Sequence, residues 1–206
     1  RLGGLDAARG VGGGAGSDGP TRESEARRKL CLAAVEYCSE KVWGPVIKDA
    51  GDVNVYDVRK RCVGDLCYDM SNADKFLNQP CVKVSLGVKR NITWEACDGS
   101  VHRNMMADWM RDLEPTIPPM LEAGLRVLIY AGEEDFICNW LGNHRWVRAM
   151  EWSGKDAFND ARPEPFVVDG VTGGDVTESG NLAFLRVSLA GHMVPMDQPK
   201  NAVVML

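Results

Sequence analysis

The chain is 206 residues long, with 45% hydrophobic and 26% charged residues, which is enough for one ordinary globular domain or a large piece of a bigger protein. Its formal net charge is -5 and the sequence contains no basic stripe, which argues against nucleic-acid binding. No stretch approaches the roughly 20 apolar residues that a membrane helix requires, so we expect no membrane span.

The first half of the chain predicts helices and loops. Residues 1–22 are Gly-rich and contain few large apolar groups, so we expect them to be disordered. A helix is predicted over 23–50, followed by a loop-rich stretch and by short helices over 72–78 and 80–88. A longer helix over 103–124 should be interrupted by its prolines.

After Gly124 the pattern changes to strands. The run LRVLIYAG, residues 125–132, is continuously apolar, as in strands that are buried on both faces of a parallel sheet. Residues 139–152 predict a helix, and the Asp-Gly pair in FVVDGVT predicts a hairpin turn. The run LAFLRVSLAG, residues 182–191, predicts another strand. Helices that alternate with buried strands indicate an α/β fold.

The seven cysteines and one glycosylation sequon, at Asn91, agree with a protein of the secretory route. Cys62 and Cys67 are close enough in sequence to close a small loop over a Gly-Asp turn. Cys31 and Cys38 lie on one predicted helix, about 10.5 Å apart along its axis. That distance exceeds the roughly 7 Å between α-carbons that a disulfide allows. If these two are oxidised, each must pair elsewhere.

Zinc binding is the competing use of cysteine. The sequence contains no paired C-x-x-C motifs and no histidine at ligand spacing, so we expect no metal site.

One aspartate and one histidine follow the two predicted parallel strands. Asp135 comes shortly after the first strand and His192 after the second. Both should therefore lie at the carboxyl edge of the sheet, where ligands of open α/β sheets bind. Because neighbouring strands are roughly 4.8 Å apart, short loops can bring the two side chains into hydrogen-bonding distance. The order acid then histidine is that of α/β-hydrolase triads.

Other interpretations of these residues stay open. Asp135 as the cap of the following helix is one alternative. A carboxylate pair formed with Glu133 or Glu134, as in acid proteases or glycosidases, is another. Of the remaining histidines, we interpret His144 as a surface residue and His102 as structural.

Long motifs with rare residues resemble a known family. They include YAGEEDFICNWLGN at residues 130–143, AGHMVPMDQPKNAV at 190–203 and NVYDVRKRCVGDLCYDMSNADKFLN at 54–78. The shorter ADWMRDLE, AMEWSGKDAF and FVVDG continue the pattern. These motifs resemble the serine carboxypeptidases, those of the carboxypeptidase Y type and especially its plant relatives, from about Lys29 to the end of the chain.

The resemblance implies an α/β-hydrolase fold, of which this chain would be the C-terminal portion of the sheet with part of a helical cap insertion. Residues 1–22 would be a disordered or non-homologous segment. Residues 23–110 would form the cap region, and residues 111–206 would form the C-terminal part of the hydrolase domain.

The resemblance also assigns roles to residues. Asp135 would be the triad acid and His192 the triad base. Met193 would lie beside the site for the C-terminal residue of the substrate. The pocket for the preceding substrate residue would be lined by Trp109, Ile137 and Cys138.

The cysteines also have counterparts in the family. Cys62 and Cys67 would pair with each other. The counterparts of Cys31, Cys38 and Cys97 pair with upstream cysteines that this chain lacks, and Cys81 has no counterpart.

The nucleophile of the family lies in a Gly-x-Ser-x-Gly turn, and the sequence contains no such match. Ser17 in GAGSDG has the wrong spacing. We therefore expect a missing N-terminal portion that carries the serine, the oxyanion hole and a signal peptide. The resemblance implies vacuolar, lysosomal or secreted localisation, a peptide or protein substrate, and no cofactor.

Three classes of function follow. The first is a serine-type carboxypeptidase that removes C-terminal amino acids. The second is an acyltransferase of the same fold, which uses the same triad to move acyl groups to alcohols. The third is an inactive truncated remnant.

Overall fold

A computed structural model describes residues 22–64, 66–88 and 92–206. The described residues before Ala123 form helices and irregular structure, and the residues after Arg126 contain all four strands of the described sheet. The α-helices of the first part are α1 (Arg22–Cys38), α2 (Gly44–Ala50), α3 (Ser71–Leu77), α4 (Pro80–Ser85), α5 (Gly99–Met105) and α6 (Pro118–Glu122). The second part contains β1 (Val127–Gly132), α7 (Trp140–Ala149), α8 (Lys155–Asp160), β2 (Glu164–Val168), β3 (Val171–Ser179), β4 (Leu182–Val187), α9 (Val194–Asp197) and α10 (Pro199–Met205).

The predicted helix over 23–50 forms, but a π-helical turn over Ser39–Trp43 divides it into α1 and α2. Gly44 donates its N–H to the carbonyl of Ser39, five residues back. The next residue, Pro45, has no N–H for the carbonyl four residues before it, and this missing hydrogen bond favours the wider turn.

The predicted helix over 103–124 is more broken than expected. Its residues fall in the end of α5, two single 3₁₀ turns at Met106–Asp108 and Glu114–Thr116, and α6. Each proline lacks an N–H and clashes with the preceding turn, so this stretch cannot continue one α-helix.

The four strands form one sheet in the order β1-β4-β3-β2. β1 and β4 are parallel, as predicted, with Gly132 opposite Val187. The other pairs are antiparallel. The predicted Asp-Gly turn is present, because Asp169 and Gly170 have positive φ angles of 52° and 78° in the hairpin between β2 and β3.

The predicted strand over 182–191 ends early, at Val187. Leu189 has a φ of 56°, a left-handed conformation that no strand accommodates. The chain turns there, and the following residues form the loop that carries His192.

Burial on both faces is found in β4 and not in β1, for which the apolar run predicts it: Val127, Leu128 and Ile129 are only partly buried and Tyr130 is 42% exposed. Leu182 and Phe184 belong to one hydrophobic cluster, together with the side chains of α7 and α8. Leu185 and Val187 face the other way and pack with Phe166 and with α10. The sheet therefore has helices on both faces, which is the layered α/β arrangement.

Among the described residues, no helix is both long and apolar enough to cross a membrane. The segment 1–22, predicted to be disordered, falls almost entirely outside the described residues. The domain boundary between residues 110 and 111 stays a prediction.

Candidate active site

The two catalytic candidates lie where the sequence predicts them, at the carboxyl edge shared by β1 and β4. The Asp135 carboxylate and the His192 imidazole are hydrogen-bonded, with 2.9 Å between Oδ2 and Nδ1. The Asp135 side chain is buried, with 3% exposed, whereas the His192 side chain is 38% exposed. The acid is thus enclosed and the imidazole faces outward.

The hydrogen bond assigns the tautomer of the histidine. An ionised carboxylate only accepts hydrogen bonds, so Nδ1 of His192 carries the proton. The lone pair is then on Nε2, and the described part of the chain supplies no hydrogen-bond partner for that atom. An imidazole with an oriented Nδ1–H and an open Nε2 is ready to accept a proton from a group brought to it.

The second oxygen of Asp135 is also engaged. Oδ1 accepts the N–H of Cys138 at 3.1 Å, which fixes the plane of the carboxylate. The alternative role of Asp135 as a helix cap is wrong, because α7 is capped by Asn139, whose Oδ1 accepts the N–H of Gly142 at 2.8 Å.

Direct backbone bonds join the two loops that carry the dyad. Glu133 donates its N–H to the carbonyl of Val187 at 2.9 Å, and Glu134 donates to Ala190 at 2.9 Å. Gly132 lies so close to the histidine loop that a Cβ on it would be 2.2 Å from the carbonyl oxygen of Gly191. Only glycine allows this approach, which lets the two loops touch.

A third segment contacts both catalytic loops. We call residues 53–61 the bracing loop; it is closed by an isolated antiparallel bridge between Val53 and Arg61. The carbonyl of Val55 accepts the N–H groups of Phe136 and Ile137, at 3.1 and 3.0 Å, in the loop that carries the acid.

The bracing loop also contacts the histidine side of the dyad. The carbonyl of Tyr56 accepts the N–H of His192 at 2.7 Å. The ring of Tyr56 packs against the imidazole, with 5.4 Å between the centroids. Tyr56 also contacts Tyr68, with 5.6 Å between the ring centroids. Sequence reasoning did not place this segment at the site, although its letters NVYDVRKRC belong to the motifs that carried the family resemblance.

Cys138 lies next to the dyad. Its Sγ, a carboxylate oxygen of Asp135 and a ring nitrogen of His192 lie within 4.8 Å of one another. Partial burial and, to a smaller degree, the charge of Asp135 raise the pKa of the Cys138 thiol. A protonated thiol is a weak nucleophile and a weak metal ligand, so this geometry does not make Cys138 the attacking group.

The other substrate-binding candidates are placed differently. Ile137 is 38% exposed beside Cys138, and Met193 follows His192 directly and precedes α9. Trp109 is 59% exposed, and its ring meets His102 edge-on at 5.1 Å. The substrate-binding roles of these residues stay predictions.

The alternative carboxylate pair gains no support from the structure. Glu133 lies 3.6 Å from Arg186 in an ion pair. No hydrogen bond within the described ranges links the side chain of Glu133 or Glu134 to Asp135.

The interpretation of His144 as a surface residue needs correction. Its ring is partly buried and lies 5.0 Å from the ring of Phe184. This burial, and to a smaller degree Arg148, lowers the pKa of His144.

The predicted Cys62–Cys67 disulfide is present. Cys31, Cys38, Cys81, Cys97 and Cys138 are free thiols. The glycosylation candidate Asn91 lies outside the described residues.

A parallel strand pair with an Asp–His dyad at its carboxyl edge defines the chain as an α/β-hydrolase-type protein. Comparison with known proteins leads to the family. The family described as serine carboxypeptidase matches over residues 16–206. The chain therefore belongs to the serine carboxypeptidase family, as its motifs predicted.

Individual relatives support the same family assignment. The chain is 53% identical over 191 residues to Serine carboxypeptidase-like 49 of Arabidopsis thaliana, which covers 93% of this chain and 35% of that protein. It is 52% identical over 176 residues to a Pisum sativum protein named Serine carboxypeptidase-like, which covers 85% of this chain and 61% of that one. The chain thus spans about a third of the Arabidopsis relative and a larger share of the pea relative.

A solved structure also matches. The crystal structure of KEX1(delta)p, a prohormone-processing carboxypeptidase from Saccharomyces cerevisiae, matches with a TM-score of 0.61 and 26% identity. The match covers 74% of this chain and 35% of that chain.

Proposed function

We propose that this chain supplies the acid and the base of a Ser-Asp-His triad in a serine-type carboxypeptidase, which hydrolyses the C-terminal peptide bond of peptides and proteins. The observation that carries the proposal is the hydrogen bond between Asp135 and His192, which leaves Nε2 of a partly exposed imidazole open. Membership of the serine carboxypeptidase family supports the choice of reaction.

The geometry supports a defined sequence of proton transfers. Nε2 of His192 takes the proton of the serine hydroxyl as its oxygen attacks the last peptide carbonyl. Asp135 stabilises the imidazolium that forms. His192 then returns the proton to the departing amine, so that the C-terminal amino acid leaves and an acyl-enzyme remains. Water, deprotonated by the same nitrogen, attacks the acyl-enzyme; His192 then returns this proton to the serine oxygen as the ester bond breaks, which releases the shortened peptide and regenerates the serine.

The proposal places the serine in sequence outside this chain. The printed sequence has no Gly-x-Ser-x-Gly segment, and the chain spans 35% of the Arabidopsis relative. β1 has β4 as its neighbour on one side, and within the described residues no strand pairs with its other side. That side is where a further strand of a hydrolase sheet would add.

On the substrate side, we assign Met193 to the C-terminal residue of the peptide, and Trp109, Ile137 and Cys138 to the residue before it. Ile137 and Cys138 support this, because both are exposed within three residues of the acid. The Cys62–Cys67 disulfide supports a vacuolar, lysosomal or secreted location, since disulfides persist in oxidising compartments.

The test joins the chain to the part that it does not cover. The chain is co-expressed with the part of Serine carboxypeptidase-like 49 that it does not cover, where we place the serine, and is assayed with blocked dipeptides and a fluorophosphonate. The chain alone should show neither hydrolysis nor labelling. The complex should show both, with the label on the serine of the added segment.

His192→Ala in the complex should lower turnover by several orders of magnitude, as loss of a triad member does. Lys200→Ala is the control, because Lys200 is 82% exposed and its ion-pair partner Asp169 is also on the surface, away from the dyad. A loss of less than about tenfold for His192→Ala would show that it is not the base.

The same assay separates the other candidate functions. Acyl-glucose donors with alcohol acceptors test for transferase activity, and product formed only with them would replace the peptidase assignment. No activity with either substrate class, in a folded complex that contains the serine, would favour a remnant without catalysis.

A further inference from the structure

A cluster of charged side chains lies directly behind the histidine loop. Asp57 is fully buried, with 0% exposed, and the Asp197 side chain is only 9% exposed. Lys60 joins them, with its Nζ 2.8 Å from Oδ2 of Asp57 and 3.0 Å from Oδ1 of Asp197. Arg59 makes a two-pronged contact with Asp57, through Nε and Nη2 at 2.8 Å each.

These charges compensate one another. A buried carboxylate is costly unless cations and hydrogen bonds satisfy it. Arg59 has the largest effect and, with Lys60, holds the pKa of Asp57 well below its usual range. Asp57 in turn raises the pKa of both cations. Asp57, Arg59 and Lys60 therefore stay charged in the folded chain at neutral pH.

Two successive N–H groups of the loop that carries the imidazole are hydrogen-bonded, one to the cluster and the other to the backbone next to it. Oδ2 of Asp197 accepts the N–H of Gly191 at 2.8 Å. The carbonyl of Tyr56, the residue before Asp57, accepts the N–H of His192 at 2.7 Å. One bond comes from the α9 side of the loop and the other from the bracing loop.

Lys60 connects the two segments that are hydrogen-bonded to the histidine loop. It belongs to the bracing loop, and Asp197 is the last residue of α9. Without the ammonium group, Asp57 would keep its contact with Arg59, but the direct ion-pair bridge from Asp57 to Asp197 through Lys60 would be lost.

We propose that Lys60, by joining Asp57 to Asp197, is a positioning residue that fixes the backbone of Gly191 and His192 and thereby aims Nε2 of His192 at the nucleophile. The inference rests on the proposed function for its catalytic meaning. Proton transfer requires a heavy-atom distance of about 2.6 to 3.2 Å. A displacement of about 1 Å can lower a rate on the order of a hundredfold, so a brace on this backbone has a direct effect on turnover.

The test uses this chain, with readouts that need no turnover. In Lys60→Met, the amide hydrogens of Gly191 and His192 should exchange at least about tenfold faster, while those of β4 change less than about twofold. The NMR signal of the Nδ1 proton of His192, which reports its bond to Asp135, should broaden or disappear. Lys60→Arg, which restores a cation between the carboxylates, should recover both readouts.

The matched control is Arg61→Met. Arg61 lies next to Lys60 and forms an ion pair with Asp52, but the two side chains are 83% and 62% exposed. This variant removes one positive charge from the same segment and should leave both readouts as in the unmodified chain.

Three results would overturn the proposal. One is unchanged exchange at Gly191 and His192 in Lys60→Met, and another is an equal effect of Arg61→Met. If Lys60→Met accelerates exchange throughout β4, Asp197→Asn decides, because it keeps an oxygen for Gly191 and removes the charge that Lys60 contacts. Unchanged exchange at Gly191 and His192 in Asp197→Asn is the third.

The proposed function can fail independently. If the Lys60 variants behave as expected but the complex with the added serine segment is inactive, the positioning role of Lys60 is supported and the peptidase assignment is wrong. If the complex is active and hydrogen exchange does not change in the Lys60 variants, only the positioning role of Lys60 is wrong.

Discussion

Gly191 lies against the carbonyl of Tyr56 so closely that a Cβ on Gly191 would be 2.4 Å from the oxygen. The same Cβ would be 2.8 Å from Cβ of Asp57. Backbone of the bracing loop thus occupies the space that any other side chain at this position would need. The glycine before the histidine is required by a segment that precedes it by more than a hundred residues.

Gly191→Ala should therefore destabilise the chain. Overpacking of this kind costs about 1 to 3 kcal/mol, and here it must push the bracing loop away from His192. Chemical unfolding should show the loss, and the NMR signal of the Nδ1 proton should weaken. Gly99→Ala is the control, because its Cβ would meet only the flexible end of Arg103, at 3.4 Å. Equal stability of the two variants would contradict the close approach.

Removal of the Cys62–Cys67 disulfide should loosen the bracing loop. The bridge closes a loop with a sequence separation of 5 residues, for which chain entropy gives about 2 kcal/mol. Cys62→Ser with Cys67→Ser should lower the free energy of unfolding by about that amount. Hydrogen exchange over residues 53–61 should rise as well. Exchange that rises in β4 but not in this segment would show that the bridge does not support the bracing loop.

The free energy of unfolding should decrease at acid pH, because the stabilising charge of Asp57 is lost there. Its pKa is depressed in the folded chain, so the stabilisation is fully present above the unfolded value of about 3.9 and is lost as the pH falls below it. Asp57→Asn should be less stable at neutral pH, because Arg59 and Lys60 lose their buried partner, and its stability should depend less on pH in the acid range. Urea unfolding at several pH values measures both effects.

The control for Asp57 is Asp52→Asn. Asp52 is 62% exposed in its pair with Arg61, so its removal should leave the acid dependence intact. A parallel loss of acid dependence in both variants would mean that the general charge of the segment, and not the buried carboxylate, is responsible.

His144 should contribute a second pH dependence at a higher pH. Its pKa is lowered by burial, so its contribution is fully present above the unfolded value of about 6.5. Below that pH the unfolded chain takes up a proton that the folded chain resists, and stability falls. His144→Gln should reduce the decline, as measured by thermal melting over this range. His102→Gln, at an exposed position, should not.

Sequence reasoning identified the parts of the fold that depend on local patterns. The apolar runs gave β1 and β4, the Asp-Gly pair gave the hairpin, and strand direction placed Asp135 and His192 at one edge. It overestimated the helix over 103–124, where the prolines end α-helical structure more completely than an interruption. It also extended β4 past Leu189, whose positive φ has no signature in the letters.

The bracing loop could not be located in this way. Its contacts to Phe136, Ile137 and His192 are backbone hydrogen bonds between segments far apart in the chain, and backbone groups are the same for almost every residue type. Two residue types are consequences of this packing. Gly191 leaves room for the bracing loop, and Asp57 is a charged residue that is fully buried. Neither reveals its partner without the three-dimensional structure.

The parallel register of β1 with β4 has a consequence for how an active dyad is selected during folding. A slip of one residue would shift the histidine loop by roughly 3.3 Å along the strand, farther than the hydrogen bond to Asp135 can stretch. The same slip would turn Leu182 and Phe184 toward the wrong face and leave both hydrophobic clusters unfilled. Burial of the core therefore selects the register in which the acid and the base meet, because a chain that misaligns Asp135 and His192 also fails to bury its core.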